Sequence, residues 1–262
     1  MRLFLSMMPL LLCVLTTLEA AELPQGEILK REYFFAEAKK NQSYSLYIPK
    51  SYHKSKESSL VVLLHGHGGT PDQIIRYKGI VAEAERRGYL LVAPYGYNER
   101  GWYGSRGKGK QNRLLRKSND DPDNLGELSE MDVMHVLKIM QSEFNVDHDR
   151  VFMLGHSMGG GGAVHLAATY PKEWAGLACL APAFHGSTEK LKQLQTIPVF
   201  VATGDKDLFV RVKGVRHWVD AMKALNMQVQ YNEIAGGRHF RTITSNPALM
   251  AEVFDFFDQK KK

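Results

Sequence analysis

The segment that most constrains the fold of this chain is Gly155-His156-Ser157-Met158-Gly159, a Gly-x-Ser-x-Gly pattern. It follows the apolar run 151–154, which predicts a strand, and precedes the small-residue stretch 161–164, which favours the start of a helix. A sharp turn from strand to helix needs glycines on either side of the serine and pushes the serine hydroxyl into the open. The pattern therefore predicts an exposed nucleophile, Ser157, at the N-terminus of a helix.

Short apolar runs alternate with amphipathic stretches along the rest of the chain. Runs typical of strands occupy 60–64, 89–93, 151–154, 176–180 and 199–202, with an alternating run at 227–231 and an opening antiparallel pair at 32–35 and 44–48. Helical patterns occupy 73–87, 127–144, 159–170, 212–225 and 247–257. Buried strands separated by helices predict an α/β fold with a mostly parallel central sheet and helices on both faces, in a single domain. The strand at 227–231 is expected near the sheet edge.

The N-terminus has the layout of a secretory signal peptide. Arg2 precedes the apolar run 3–18, and the small residues Ala20 and Ala21 follow it. This pattern predicts cleavage after about residue 20, a catalytic domain over 21–262 and a secreted or periplasmic protein, with no stable membrane insertion once the signal is removed. The alternative is an uncleaved membrane anchor, because the run approaches spanning length.

The composition is that of a globular enzyme, with 44% hydrophobic and 24% charged residues and a net charge of +6. Removal of the signal would take Cys13 with it and leave Cys179, expected to be a small buried hydrophobe that forms no disulfide. Basic residues concentrate in the segment 100–117, without a nucleic-acid-binding motif, so no nucleic acid partner is expected. The segment is either a solvated loop or attracts an acidic substrate or an anionic surface.

A serine hydroxyl becomes a nucleophile when a base takes its proton, and the base needs an acid to orient it. In a nucleophile-elbow fold these follow the serine in the order acid, histidine. Asp205 and Asp207 follow the strand 199–202, and His239 follows the next strand. We expect Asp207 to be the acid, with Asp205 bonding local backbone in the turn. His239 is expected to be the base.

The other histidines are expected to have structural or surface roles. His156, next to the nucleophile, is expected to point away from it. For His165, His185 and His217, the sequence places no acid to orient the ring.

Two backbone N–H groups are needed to hold the oxyanion of an acyl-transfer reaction. The first is expected at Met158, directly after the nucleophile. The second is expected in the glycine-rich loop 65–69, at His67, with Gly68 as the alternative. No metal site is expected, because the His-x-His of this loop has no continuation into a metal motif. A calcium loop at 121–126 is also excluded, because Leu125 stands at a ligand position.

The connection 96–124 shows no clear strand or helix, and loops of that length are usually functional or mobile. It leaves the C-terminal end of a strand, so it is expected on the active-site side of the sheet. Trp102 and Tyr103 within it are candidate substrate-binding residues, because an aromatic pair can stack on a flat acyl or sugar group.

Four motifs in order carry a family resemblance: His-Gly-x-Gly-Gly at 65–69, Gly-His-Ser-x-Gly-Gly at 155–160, Gly-x-x-Asp-x-x-Val at 204–210 and Gly-x-His at 237–239. The chain resembles the α/β-hydrolase superfamily, and within it bacterial secreted esterases of the polyhydroxybutyrate depolymerase, feruloyl esterase and dienelactone hydrolase group. Enzymes of this kind often carry a cysteine where His67 stands. That departure, with no appended polymer-binding domain, argues against action on a solid polyester.

The resemblance implies a serine hydrolase that cleaves a small-molecule or oligomeric carboxylic ester through a Ser-Asp-His triad and an acyl-enzyme. It implies no cofactor. A serine peptidase of the prolyl-oligopeptidase type would use the same triad on amides, and a non-catalytic binding protein on the same fold is the remaining alternative. The complete set of four motifs favours an enzyme.

Overall fold

The computed structural model describes residues 23–109 and 120–262, and within them eight strands form one sheet. In chain order the strands are β1 Ile28–Phe35, β2 Lys40–Tyr47, β3 Ser58–Leu64, β4 Leu90–Pro94, β5 Val146–His156, β6 Gly176–Leu180, β7 Val199–Gly204 and β8 Val229–Ile234. Their order across the sheet is β1-β2-β4-β3-β5-β6-β7-β8. This architecture confirms the predicted α/β fold in a single domain.

The strands pair as predicted, with an antiparallel pair at the start of the chain and mostly parallel strands after it. β1 pairs antiparallel with β2, and β2 antiparallel with β4, while β3 to β8 pair in parallel with their neighbours. β3, β4, β6 and β7 are buried at every residue, as continuous apolar runs predict for inner parallel strands. β8 has exposed and half-buried residues and lies at the edge, as its alternating pattern predicted.

Helices cover both faces of the sheet. One face carries α3 Leu125–Glu143, α4 Met158–Thr169 and α5 Val212–Ala224, and the other carries α1 Pro71–Ile75, α2 Ile80–Arg87 and α7 Pro247–Asp258. The short helix α6 Arg241–Thr244 precedes α7. Each helical layer contributes to its own apolar core, so the sheet is buried between two cores.

The helix predicted at 73–87 is two helices, α1 and α2, so that prediction was wrong in its continuity. Gly79 separates them with φ of +102°, a left-handed conformation that an α-helix cannot contain. A Cβ at Gly79 would lie 2.9 Å from the Cα of Pro247, so the break also lets α7 approach closely. At the start of α1, Thr70 is the N-cap and forms a capping box with Gln73, and Pro71 occupies the first turn.

The described parts of the connection 96–124, residues 96–109 and 120–124, contain more regular and buried structure than the sequence predicts. Residues 101–105 are buried and include a short 3₁₀ turn, Trp102–Gly104. Buried Asp132 on α3 accepts hydrogen bonds from the N–H groups of Gly96 (2.6 Å) and Tyr97 (3.1 Å). Arg100 forms an ion pair with Asp121 at 2.8 Å, which ties the two ends of the connection together. Residues 110–119 lie outside the described part of the chain.

The predicted signal peptide, residues 1–20, also lies outside the described residues. Across residues 23–109 and 120–262, none of the helices has the length and apolar character needed to span a bilayer. Cys179 is a buried free thiol on β6, as its sequence context predicted, and burial raises its pKa to about 12.

Candidate active site

Ser157 lies at the turn between β5 and α4. Its φ of 56° and ψ of −113° are unusual for a residue with a side chain, and the turn is held by its N–H, which donates to the carbonyl oxygen of Leu180 at 2.9 Å. Side chains at Gly155 or Gly159 would overlap backbone atoms of Gly159 and Leu64 respectively. The glycines of the motif therefore have the steric role that the sequence predicted.

His239 and Asp207 meet Ser157 in one chain of hydrogen bonds. The Nδ1 atom of His239 lies 2.6 Å from Asp207 Oδ2, and its Nε2 atom lies 2.9 Å from Ser157 Oγ. Because a carboxylate only accepts, Nδ1 carries the imidazole proton, and Nε2 is free to accept from the serine hydroxyl. The three side chains have the geometry of a nucleophile, base and orienting acid.

Asp207 is buried and held in place by its own loop. Its Oδ1 atom accepts hydrogen bonds from the N–H groups of Phe209 and Val210, both at 2.8 Å, while Oδ2 faces His239. Asp205 instead accepts from the N–H of Gly236 at 2.7 Å and does not reach the imidazole. The structure thus brings Asp207, and not Asp205, to the histidine.

His156 points away from the serine, as expected, but it contacts the loop of the base. Its Nε2–H donates to the backbone carbonyl oxygen of His239 at 3.1 Å, and its Nδ1 accepts from the Tyr77 hydroxyl at 2.9 Å. Burial and the nearby His239 lower the pKa of His156 to about 4, so the ring is neutral near pH 7. The role of Tyr77 could not be predicted from the sequence, because no motif links it to a residue 79 positions away.

The loop 65–69 lies beside Ser157, with Gly66 against the serine Cβ. The N–H of Gly68 donates to the carbonyl oxygen of Glu99 at 2.8 Å and is therefore engaged elsewhere. Of the two loop residues considered as donors to the oxyanion, His67 and Gly68, this leaves the N–H of His67 as the candidate. Met158 is the first residue of α4, where an N–H has no partner within its own helix.

A cavity of about 980 Å³ opens above Ser157 and His239. Its lining includes the glycine-rich loop, the basic residues Arg76 and Arg106, and the aromatic residues Tyr77, Trp102, Phe209 and Phe240. Asp72 is the one carboxylate among these described lining residues, and it forms an ion pair with Arg76 at 2.9 Å. The cavity therefore presents a net positive, partly aromatic surface to a substrate.

Of the two predicted substrate-binding residues, the structure brings one to the cavity. Trp102 lines it, with the guanidinium of Arg106 stacked 3.4 Å above the indole ring. Tyr103 is fully buried and does not line the cavity; its hydroxyl donates to the carbonyl oxygen of His65 at 3.3 Å. The expected aromatic pair is therefore corrected to a single aromatic residue, and Tyr103 supports the loop that carries His67.

The expectation that no acid orients His165 was wrong. Its Nε2 atom lies 2.5 Å from the Glu130 carboxylate, which α3 places beside α4. In the described structure neither residue of this pair is hydrogen-bonded to Ser157, His239 or Asp207. We therefore interpret the pair as a contact that holds α3 against α4. Asp121, considered above for calcium, pairs with Arg100, and no group of metal-ligating side chains occurs in the described residues.

Much of the basic segment is paired where the structure describes it. Arg100 forms ion pairs with Asp121 and Glu99, and Lys108 with Glu127. Arg106 has no carboxylate partner within the described residues and faces the cavity. Lys110, Arg113, Arg116 and Lys117 lie outside the described residues.

Comparison with known sequences identifies a family and two curated relatives. A model of the family Hydrolase_4, described as serine aminopeptidase, S33, matches residues 55–196. NocK of Nocardia uniformis subsp. tsuyamanensis, named as a candidate esterase, is 32% identical over 149 residues, or 56% of this chain and 40% of NocK. An acetylxylan esterase of Coprinopsis cinerea is 27% identical over 179 residues, or 62% of this chain and 42% of that protein. The chain thus matches about two fifths of the length of either relative.

Comparison with solved structures supports the same fold. A ferulic acid esterase superposes with a TM-score of 0.67 at 16% identity, covering 90% of this chain and 98% of the other. A thermostable esterase gives the same TM-score at 18% identity, covering 90% and 63%. The fold predicted from the four motifs, that of the α/β-hydrolases, is confirmed.

Proposed function

This chain belongs to the Hydrolase_4 family, and on that premise we propose that it is a serine hydrolase that cleaves carboxylic esters through an acyl-enzyme intermediate. The observation that carries the proposal is the hydrogen-bonded chain Ser157–His239–Asp207 at the floor of an open cavity. The esterase names of both curated relatives support it.

In the proposed acylation step, His239 Nε2 takes the proton of the Ser157 hydroxyl as the serine oxygen attacks the ester carbonyl carbon. The N–H groups of Met158 and His67 donate to the oxyanion that develops on the carbonyl oxygen. Asp207 holds the imidazole in the tautomer that can accept and stabilises its cationic form.

The leaving alcohol then takes the proton from His239 Nε2. Its oxygen must approach the imidazole, so the alcohol part of the ester passes Phe209 and Phe240, whose ring centroids lie 5.2 and 4.9 Å from that of His239. A water molecule activated by the same imidazole attacks the acyl carbon and releases the acid and the serine. No cofactor takes part in the proposed reaction.

The charge of the cavity favours an ester over the substrate of an aminopeptidase. An aminopeptidase must bind a free, positively charged amino group, which calls for an available carboxylate. Asp72, the carboxylate in the described lining, is paired with Arg76, and Arg106 adds a further positive charge. A cationic substrate terminus would meet repulsion in this cavity.

The decisive experiment compares a 4-nitrophenyl ester with aminoacyl and prolyl 4-nitroanilides on the purified protein. We expect turnover of the ester and kcat/KM for each anilide at least about 10³-fold lower. Equal or greater turnover of an anilide would make the protein a peptidase, as the family description suggests for some members. Turnover of neither class would favour a binding protein.

We further propose export, with residues 1–20 as a cleaved signal peptide. The apolar run after Arg2 and the small residues Ala20 and Ala21 support this. Expression of the full chain in a bacterial host, followed by N-terminal sequencing of extracellular and periplasmic fractions, tests it. A mature N-terminus at about residue 21 is expected; an intact Met1 in the membrane fraction would indicate an uncleaved anchor.

A further inference from the structure

Large apolar side chains are exposed at one side of the active-site mouth. Four large hydrophobic residues of the described chain are exposed, and three of them are Leu208 (87%), Phe209 (73%) and Phe240 (55%). The rings of Phe209 and Phe240 contact His239, and Leu208 precedes Phe209 in the same loop. We call these three the apolar rim. The Phe209 and Phe240 rings contact each other edge to face at 5.4 Å, and both also line the cavity. Exposed apolar groups clustered in this way typically mark an interaction surface.

Five basic side chains lie near the apolar rim in the sequence. They belong to the loops after β7 and β8, which carry the rim, and to the starts of α5 and α6, which follow these loops. These are Lys206, Arg211, Lys213, Arg238 and Arg241, and all are exposed. None forms an ion pair within the described residues. The N–H of Lys206 donates to the carbonyl oxygen of Gly237 at 2.9 Å. The loop that carries Leu208 and Phe209 therefore lies beside the loop that carries His239.

The two carboxylates of these loops are fewer than the five cations, so the surface keeps a net positive charge. Asp207 is buried against the catalytic imidazole, and Asp205 is bonded to the N–H of Gly236. The surface around the mouth therefore combines protruding apolar groups with unpaired cations. That combination is typical of proteins that bind peripherally to anionic bilayers, where apolar groups enter the interface and basic groups face the lipid phosphates.

We propose that the apolar rim and its five basic neighbours dock the active-site mouth onto an anionic lipid surface. The mouth would then face the interface, and the side of the cavity that Phe209 and Phe240 line would be the part closest to the lipid. This inference goes beyond the proposed ester hydrolysis and does not depend on it.

Charge argues against two other occupants of the rim. A second copy of this chain docked face to face would bring five unpaired cations against five more, which repel each other. The segment 110–119 of the same chain contains four basic residues and no acidic ones, so it would not neutralise the rim. An acidic polysaccharide would match the charge but makes no use of Leu208, an aliphatic group that offers no ring to stack on a sugar.

Vesicle sedimentation of the Ser157→Ala protein tests the proposal without hydrolysis of any ester. Vesicles of phosphatidylcholine alone are compared with vesicles that also contain phosphatidylglycerol, at low and high salt. We expect sedimentation only with the anionic vesicles, weakening as salt rises. Arg238→Gln with Arg241→Gln should lower the partition coefficient by roughly 25-fold, about fivefold for each charge removed. Phe209→Ala with Phe240→Ala should lower it by at least about tenfold.

Matched controls come from elsewhere on the surface. Phe34 is the fourth exposed large hydrophobic residue, at 66% exposure on β1, and Phe34→Ala should leave sedimentation unchanged. Lys56→Gln with Lys172→Gln removes two exposed charges away from the mouth and should have little effect. Equal sedimentation with neutral vesicles, no sedimentation with either, or equal losses in the controls would overturn the proposal. Retention on immobilised polygalacturonate without vesicle binding would overturn it in favour of an acidic polysaccharide.

Discussion

The imidazole of His156 donates its Nε2–H to the backbone carbonyl oxygen of His239 at 3.1 Å, and the two rings lie 5.0 Å apart. The residue that precedes Ser157 in the sequence therefore holds the loop that carries His239, 83 positions later. The Tyr77 hydroxyl fixes the other side of the same ring. The position of His239 relative to Ser157 is thus set both by their direct hydrogen bond and by the contact of His156 with the His239 loop.

The first prediction concerns the acid sensitivity of the fold. Burial keeps His156 neutral, with its pKa at about 4 in the folded protein against about 6.5 in an unfolded chain. Between these values the unfolded chain binds a proton that the folded protein does not. The free energy of unfolding should therefore fall as pH falls through this window, by up to about 3 kcal/mol from this group. Urea denaturation near pH 7 and near pH 4.5 measures the effect.

The matched variants for this prediction are His156→Gln and His53→Gln. Glutamine cannot be protonated here but can still donate to a carbonyl oxygen, so His156→Gln should show a smaller loss of stability on acidification. His53 is exposed, and its replacement should leave the wild-type pH dependence. A His156→Gln protein with the full wild-type dependence would show that other buried groups, such as His65, cause it.

Ser157→Ala should abolish hydrolysis while leaving the fold intact. We expect a loss in kcat of about 10⁴-fold or more, because among the described residues Ser157 carries the one hydroxyl that is hydrogen-bonded to His239. A fluorophosphonate probe should label wild-type protein at this serine and leave the variant unlabelled, with unchanged circular dichroism. Labelling of the variant, or residual turnover near wild type, would assign the nucleophile elsewhere.

Asp207→Asn and Asp205→Asn form a matched pair that separates the acid from its neighbour. An amide at position 207 can donate to His239 Nδ1 and so favours the wrong tautomer, which should lower kcat by roughly 10³–10⁴-fold. Asp205 bonds only the N–H of Gly236 among the contacts seen, so its replacement should cost less than about tenfold. Steady-state kinetics with one neutral ester decides between them. A reversed order of effects would make Asp205 the functional acid.

The central sheet was predicted from the sequence, and the structure brings the three residues of the proposed triad together, because each of these predictions depends on a local pattern. Continuous apolar runs mark inner parallel strands, and the steric demands of the elbow select the two glycines around Ser157. Asp207 and His239 follow from chain order, since both occupy loops after parallel strands that end at the same edge of the sheet. Features that depend on local sequence patterns can therefore be predicted before the structure is known.

The features that the sequence did not predict depend on contacts between distant segments. Tyr77 lies in the break between α1 and α2 and reaches His156, 79 positions further along the chain. Tyr103 is buried because it packs against Gly162 on α4, so its aromatic character serves the core and not the cavity. His165 finds its acid, Glu130, on another helix. No spacing within the chain encodes these pairings.

The last prediction concerns acyl specificity, where Trp102 and Arg106 form one stacked unit at the cavity wall. We expect an aromatic acyl group to pack against this stacked unit, and a carboxylate on the acyl part to pair with the guanidinium, which has no carboxylate partner in the described residues. Trp102→Ala should raise KM for a hydroxycinnamoyl ester roughly three- to tenfold and leave an acetyl ester nearly unchanged.

Arg106→Gln should raise KM for a 4-nitrophenyl hemisuccinate and leave the neutral butyrate ester unaffected. Lys108→Gln, on the same loop but paired with Glu127, is the charge-matched control and should change neither substrate. Equal effects of Arg106→Gln on the charged and neutral esters would show that Arg106 supports Trp102 without selecting for an anion.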